Sequence, residues 1–160
     1  HDAPRGPHES KMHRMKFDAA LTPADIALLP GRDLRSTTCV VFDVLRATSS
    51  MITALAHGAA EIFPVKTIEE ALALRQQMPG AVLGGERHGE RIEGFDAGNS
   101  PFEYTALAGK KIITTTTNGT VALRSCERAA RVLVGALLNI AALRAELARS
   151  QPAEIGRAHV

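Results

Sequence analysis

The sequence predicts an α/β protein with three layers (α/β/α), in which helices cover both faces of a largely parallel (mixed) sheet. Short apolar runs alternate along the chain with stretches whose apolar residues recur at helical spacing. The run 37–42 contains only β-branched or apolar residues, which is typical of a strand buried on both faces of a parallel sheet. Strands that alternate with helices are joined by right-handed crossovers, and this order favours parallel pairing.

Capping residues and turn signals place the individual elements. Gly58 ends the helical pattern that starts at Ala47. Thr67 and Glu70 form a capping box that opens another helix, and Ser100, followed by proline, opens a short one. The predicted strands are 16–21, 37–42, 61–65, 81–83, 111–115 and 131–134. The predicted helices are 47–57, 67–78, a short one from Ser100, 121–126 and one from Asn139.

The composition excludes several classes of protein. The 160 residues are 45% hydrophobic, which is enough for one globular domain with a core. A formal charge of +2, one Tyr and no Trp argue against a nucleic acid partner. No apolar stretch reaches the roughly 18 to 20 residues of a membrane span, so we expect no membrane partner and a cytoplasmic protein. Cys39 and Cys126 lack metal-ligand spacing, and we interpret both as reduced core residues.

The first polar cluster follows the strand 37–42. Asp43 comes directly after this apolar run, and Arg46 and Thr48 lie at the start of the next helix. Ligands of parallel sheets bind beyond the carboxyl ends of the strands. Asp43 is therefore a candidate metal ligand or nucleophile, and Arg46 a candidate bidentate contact for an oxyanion. In the structural alternative, Asp43 is an N-cap and Arg46 its surface partner.

The second cluster is the glycine-rich stretch 84–99. Glu86 and Asp96 are candidate second and third oxygen ligands, and such a set suits magnesium with its retained waters. Arg87, His88 and Arg91 are candidate groups for neutralising a multiply charged substrate. The two carboxylates also have an interpretation as turn residues, and His88 as an exposed loop residue.

The third cluster, 114–120, lies between a predicted strand and a predicted helix. Its threonines, an asparagine and Gly119 supply the hydroxyl, amide and backbone N–H groups that a phosphate or sulfonate nest requires. The alternative is a hairpin with an Asn-Gly turn. A hairpin needs a second strand after Gly119, whereas the residues from Val121 onward have a helical pattern.

These three clusters resemble the 2-phosphosulfolactate phosphatase (ComB) family. The similarity lies in Val-Phe-Asp-Val-Leu-Arg-Ala-Thr at 41–48, Gly-Gly-Glu-Arg at 84–87, Gly-Phe-Asp-Ala-Gly-Asn-Ser-Pro at 94–101 and Thr-Thr-Thr-Asn-Gly-Thr at 115–120. The resemblance runs from about residue 15 to 150. It implies a ComB-like α/β fold and a Mg²⁺-dependent phosphatase that converts 2-phospho-3-sulfolactate into 3-sulfolactate, a step towards coenzyme M in methanogens.

The residues and the resemblance together give one hypothesis for the site. The expected catalytic residues are Asp43, Arg46 and Glu86. The expected magnesium ligands are Asp43, Glu86 and Asp96. The expected substrate contacts are Thr48, Arg87, Asn99, Ser100, Thr117, Asn118, Gly119 and Thr120. The partner is a small anionic phosphorylated molecule, and the sequence leaves a homodimer open.

Other functions stay open at this point. A phosphatase of the haloacid dehalogenase type expects a second Asp two residues after Asp43, and Leu45 stands there. A non-catalytic anion-binding domain would keep the threonine cluster without needing Glu86 and Asp96 near Asp43. A phosphatase for a related phosphorylated hydroxy acid would share every motif, because the sequence does not separate a sulfonate from a second carboxylate.

The two ends of the chain differ from the rest. Residues 1–14 are polar and precede Met15, and we expect them to be a non-native or disordered extension. Residues 154–160 resemble the translation of a sequencing adapter, and we expect a non-native tail there. The domain is therefore expected to span 15–153 and, because family members are longer, to be incomplete at its C-terminus.

Overall fold

Eight strands and five helices build the part of the chain that the computed structural model describes, residues 15–160. The strands are β1 (Lys16–Ala20), β2 (Thr37–Phe42), β3 (Glu61–Pro64), β4 (Val82–Arg87), β5 (Glu90–Arg91), β6 (Lys111–Thr115), β7 (Arg131–Gly135) and β8 (Glu154–His159). The helices are α1 (Pro23–Leu28), α2 (Ala47–Ala56), α3 (Ile68–Gln77), α4 (Gly119–Ser125) and α5 (Ile140–Ser150). The extension predicted at 1–14 lies outside the described residues.

The strands form two four-stranded sheets. Their orders are β1-β8-β2-β7 and β3-β6-β4-β5. Every pair of neighbouring strands is parallel except the hairpin of β4 and β5. The predicted α/β class with largely parallel, mixed pairing is therefore confirmed, although the strands divide between two sheets.

The first sheet is built around β2. All its residues except Phe42 are buried, as expected for a strand with neighbours on both sides and layers on both faces. Cys39 and Val41 belong to an apolar cluster that also holds Met51 of α2 and Cys126 at the end of α4. Both cysteines are free and buried, in agreement with their interpretation as core residues.

The second sheet is built around β6. Ile112 and Ile113 are both fully buried and belong to two different apolar clusters. Ile113 packs in a cluster with Ala71 of α3, and Ile112 in one with Ala54 of α2. Because successive side chains of a strand point to opposite faces, α2 and α3 cover the two sides of this sheet.

Several boundaries differ from the prediction. The helix α1 was not expected; it begins at a capping box formed by Thr22 and Asp25. The strand predicted over 81–83 continues through two glycines to Arg87 and turns into β5. The short helix predicted from Ser100 is a single 3-10 turn, Pro101–Tyr104.

Residues 154–159 form β8, which pairs with β1 on one side and β2 on the other. The pairing does not test where these residues come from, so the foreign origin expected for residues 154–160 stays a prediction. Among residues 15–160, no helix has the length and apolar character needed to cross a membrane.

Candidate active site

The carboxyl ends of β2, β4 and β6 open onto one cavity of about 290 Å³. The first of these strands belongs to one sheet and the other two to the second sheet, so the cavity lies where the two sheets meet at their carboxyl ends. Ligands of α/β proteins bind at such ends. The lining residues are Asp43, Leu45, Arg46, Glu86, His88, Gly89, Asn99, Thr117, Asn118 and Val160.

Asp43 follows β2 and is buried, with 7% of its surface exposed. The hydroxyl of Thr48 fixes its backbone, because Thr48 Oγ1 donates to the carbonyl of Asp43 (2.7 Å) and accepts from its N–H (3.0 Å). The only donor of the Thr48 hydroxyl is thereby used. Thr48, expected to contact substrate, instead holds the backbone that presents Asp43.

The carboxyl of Asp43 lies close to the first residue of α4. A Cβ atom added at Gly119 would be 2.6 Å from Asp43 Oδ2 and 2.6 Å from the Cβ of Ala47. Contacts this short do not occur for a real side chain, so only glycine fits here. Gly119 therefore allows β2 and α4 to approach each other, which is a narrower role than the anion contact predicted for it.

The pKa of Asp43 is raised. Burial is the main cause, and the charge of Glu86 raises the pKa further, while the backbone N–H groups of Ala47, Arg46 and Gly119 act in the opposite direction. Burial and a neighbouring negative charge both disfavour the ionised form of a carboxyl. The surroundings of Asp43 thus disfavour its ionised form. Carboxylates with a pKa perturbed in this way are common at functional sites.

Glu86 has the same exposure, 7%, and the opposite electrostatic situation. Its Oε1 accepts from the N–H of Thr117 (2.6 Å), and its Oε2 accepts from the N–H of Gly89 (2.7 Å) and the hydroxyl of Thr117 (3.0 Å). Burial raises its pKa, but these three hydrogen bonds outweigh burial and the pKa is lowered overall. Glu86 is a stabilised anion that ties the end of β4 to the segment after β6.

Arg46 supplies the guanidinium that lines the cavity. Its Nη2 donates to the carbonyl of Gly89 (3.1 Å), in the turn between β4 and β5. Arg87, the other arginine expected to contact substrate, does not line the cavity. Its guanidinium donates to the carbonyl of Glu86 in β4 and to the hydroxyl of Thr115 in β6. These hydrogen bonds hold the Arg87 side chain against the sheet.

The turn between β4 and β5 forms one wall of the cavity. It is a two-residue hairpin loop, with φ of 54° at His88 and 86° at Gly89. Hairpins with two-residue loops favour positive φ at both positions. The N–H of His88 donates to the hydroxyl of Thr117 (3.2 Å), and the exposed side chain of His88 borders the cavity.

The predicted third metal ligand, Asp96, is not part of the cavity. Its Oδ2 accepts from the N–H of Leu83 (2.8 Å) and pairs with Arg75 of α3 (2.8 Å). Among residues 15–160, no group of three or more His, Cys, Asp or Glu side chains is placed to hold a metal ion. The expected set of three carboxylates is therefore corrected: the structure brings together Asp43 and Glu86 only.

Two further predicted contacts serve the fold. Thr120 is fully buried, and its hydroxyl accepts from the N–H of Thr116 (2.9 Å) and donates to the carbonyl of Thr116 (3.1 Å). Ser100 lies outside the cavity lining, and its N–H donates to Glu103 (3.3 Å). The contacts that do line the cavity are Asn99, Thr117 and Asn118.

Leu45, Gly89 and Val160 line the cavity without having been predicted. The side chain of Leu45 is 90% exposed, and nothing in its residue type signals a site. Gly89 lies in the glycine-rich stretch, and its partner Arg46 was already a candidate. A two-residue turn after Arg87 would have indicated its position.

The comparison with known families decides the family of the chain. The family model described as 2-phosphosulpholactate phosphatase matches residues 25–156, which include every residue of the cavity except Val160. The chain belongs to the 2-phosphosulfolactate phosphatase family.

Curated relatives in this family show the same similarity. A protein of Carboxydothermus hydrogenoformans is 43% identical over 129 residues, covering 81% of this chain and 52% of the relative. A protein of Clostridium acetobutylicum is 46% identical over 128 residues, 78% of this chain and 53% of the relative. Both are named "Probable 2-phosphosulfolactate phosphatase". This chain spans about half the length of these members of the family.

The cavity fits the divalent cation that the family resemblance implies. Magnesium in enzymes is commonly held by one or two carboxylates, with waters and substrate phosphate completing the shell. Asp43 and Glu86 line one cavity, and the charge of Glu86 raises the pKa of Asp43. A cation near both would relieve that repulsion, so the donor set suits a two-carboxylate site.

Proposed function

We propose that the chain forms the active-site part of a Mg²⁺-dependent phosphatase that hydrolyses 2-phospho-3-sulfolactate to 3-sulfolactate and phosphate, the kind of step that coenzyme M formation uses. One observation carries this proposal: the carboxylates of Asp43 and Glu86 share a cavity with the guanidinium of Arg46. A phosphate monoester is a dianion, and its hydrolysis requires cationic groups that offset the charge on the transferred phosphoryl group.

Six of the ten lining residues have a role in this proposal. Asp43 and Glu86 hold the magnesium ion, which supplies charge neutralisation at the phosphoryl group when bound. Arg46 donates to a phosphoryl oxygen as well as to the carbonyl of Gly89. The amides of Asn99 and Asn118 bind the remaining anionic oxygens, and Thr117, whose N–H and hydroxyl both donate to Glu86, holds that carboxylate in place. The reaction consumes one water and breaks the ester P–O bond, giving the free hydroxy acid and inorganic phosphate.

The family membership and the size of the cavity support a small substrate. A cavity of about 290 Å³ is at the lower limit of common ligand sites, which suits a three-carbon acid with two further anionic groups. A related phosphorylated hydroxy acid would present the same phosphate to the same residues. Comparing turnover of phosphosulfolactate and a phosphorylated dicarboxylic hydroxy acid separates the two.

Phosphate release is the direct test. We expect release from 2-phosphosulfolactate with Mg²⁺ and none with chelator, measured on this chain and on the full-length Carboxydothermus hydrogenoformans relative. The variant Asp43→Asn should lose more than about 100-fold in kcat/KM, consistent with loss of a group that holds charge at the reacting centre. Asp96→Asn is the matched control, because Asp96 lies outside the cavity.

The outcomes separate the alternatives. Absence of release from both proteins, with phosphate binding retained, would leave a non-catalytic anion-binding domain. Equal loss in Asp43→Asn and Asp96→Asn would show that the cavity is not the active site. A stable phosphoryl adduct on Asp43, detected by mass spectrometry after acid quenching, would identify Asp43 as the nucleophile; its absence with full turnover would favour water.

A further inference from the structure

The backbone segment 98–100 is held by side chains from two different elements. Tyr104 donates its hydroxyl to the carbonyl of Gly98 (2.6 Å), and the carboxylate of Glu103 accepts from the N–H of Gly98 (2.8 Å). On the other side, the hydroxyl of Ser50 in α2 donates to the carbonyl of Asn99 (2.8 Å). Three side chains thus fix the peptide groups on either side of the Asn99 Cα atom.

The side chain of Asn99 makes no hydrogen bond within residues 15–160, although only 7% of the residue is exposed. It borders the cavity that Asp43 and Arg46 also line. The amide oxygen and nitrogen of Asn99 are not among the fully enclosed unpaired atoms of residues 15–160, so they are open to the cavity. They are therefore placed to donate to, or accept from, a ligand group there.

The absence of a side chain at Gly84 leaves the space that Tyr104 occupies. A Cβ added at Gly84 of β4 would collide with the Tyr104 hydroxyl. Burial raises the pKa of Tyr104 to about 12, so the hydroxyl keeps its proton and donates at every physiological pH. The tyrosine therefore lies between the sheet and the 98–100 segment as a fixed donor.

We propose that Ser50, Glu103 and Tyr104 are positioning residues that hold the Asn99 amide in the cavity as a donor to an oxygen of the phosphoryl group. This inference deepens the proposed function and rests on it. A rigid support matters here because binding groups act at full strength only when held close to the productive geometry. The three residues contact Asn99 or its neighbour and do not contact the cavity themselves.

A double-mutant cycle tests the proposal. In the wild-type background, Tyr104→Phe should lower kcat/KM about 3- to 10-fold, the scale of one hydrogen bond, with kcat/KM restored by neither added Mg²⁺ nor altered pH. Asn99→Ala should lower it about 10- to 100-fold. In the Asn99→Ala background, Tyr104→Phe should have less than a twofold further effect, because the group being positioned is gone.

Stability is not expected to explain the effect of Tyr104→Phe. The carbonyl of Gly98 keeps a second donor, the N–H of Gly85 (3.0 Å), so no buried acceptor is left unsatisfied. Thr105→Ala is the matched control: it removes a hydrogen bond from the same 3-10 turn to Phe102 (2.9 Å), away from Asn99. It should leave kcat/KM unchanged. The same double-mutant cycle with Ser50→Ala in place of Tyr104→Phe tests the hydrogen bond from α2 to the carbonyl of Asn99.

The results that overturn the inference differ from those that overturn the function. If Tyr104→Phe keeps its full effect in the Asn99→Ala background, or if Asn99→Ala is silent while Asp43→Asn is inactive, the positioning role is wrong and the phosphatase stands. If the wild-type protein does not turn over phosphosulfolactate, the same cycle is measured as affinity for inorganic phosphate by calorimetry. Additive losses of affinity would again reject the positioning role.

Discussion

Replacing Glu86 by Gln tests whether the Glu86 carboxylate stabilises the fold as a hydrogen-bonded anion, in contrast to Asp43, whose ionised form is disfavoured. The two carboxylate oxygens of Glu86 accept three hydrogen bonds, one at Oε1 and two at Oε2. A glutamine keeps one acceptor oxygen and presents an NH₂ group where the other oxygen was, so at least one of the N–H groups of Thr117 and Gly89 faces another donor. The net loss is one charge-assisted hydrogen bond plus an unsatisfied N–H, about 2–3 kcal/mol of unfolding free energy.

This loss is measurable by denaturant and heat. For a domain of this size, about 2–3 kcal/mol corresponds to a fall in Tm of roughly 5–10 °C. The pKa of Glu86 is lowered in the folded state from an ordinary value of 4.5. The stabilisation is therefore complete above that value and is lost as the pH falls through the folded-state pKa. The difference between wild type and Glu86→Gln should narrow in acid for this reason.

The assay is urea unfolding followed by far-UV circular dichroism, at neutral pH and at a pH below 4.5. Glu90→Gln is the control, because Glu90 is an exposed carboxylate in the neighbouring strand β5. It should shift stability by less than about 0.5 kcal/mol. The reasoning is refuted if Glu86→Gln is as stable as wild type at neutral pH, or if its deficit is the same in acid.

Three other variants address the cavity and its surroundings. Gly119→Ala should cost about 1–3 kcal/mol of stability and most of the activity, since its Cβ would be 2.6 Å from Asp43 Oδ2; calorimetry and phosphate release measure both. Arg46→Lys should raise KM about tenfold or more, because lysine lacks the planar fork for phosphoryl oxygens; an unchanged KM would remove Arg46 from the site. Asp96→Asn should lower stability by less than about 1 kcal/mol, as its partner Arg75 and its own carboxylate are both partly exposed, and should leave the Mg²⁺ dependence of turnover unchanged.

The strands β2 and β6 were predicted with their observed limits because burial on both faces leaves a continuous run of β-branched and apolar residues. The strand β4 was predicted too short for the opposite reason. Gly84 and Gly85 indicate a loop when considered alone. In the fold, Gly84 makes room for Tyr104, and a Cβ at Gly85 would collide with the carbonyl of Thr115 in β6. Only the tertiary neighbours explain these glycines.

The misplacement of Asp96 has a similar origin. Ala97 packs in the apolar cluster beside Tyr104 and Ile112, whereas Asp96 pairs with Arg75 on α3, at the other face of the second sheet. Phe95 packs with Ala71 of α3, on the same side as Asp96, whereas Asn99 lines the cavity. The motif predicted that both residues belong near the site, and the packing of this irregular segment, which the sequence does not reveal, decided which of them reaches it.

The two carboxylates that line the cavity, Asp43 and Glu86, differ in how far the protein compensates their charge, and this difference indicates different roles. Glu86 receives three hydrogen bonds and its pKa is lowered, so its charge is already compensated by the protein. Asp43 is buried beside that charge and its pKa is raised, so its ionised form is the one that gains most from an added cation. Where two neighbouring acids have their pKa values driven apart, the environment separates their roles. We infer that Glu86 mainly organises Thr117 and the β4–β5 turn, and that Asp43 is the ligand on which metal affinity depends. Asp43→Asn should therefore weaken Mg²⁺ binding more than Glu86→Gln, measured by calorimetry on folded protein, and the reverse order would reject this division of roles.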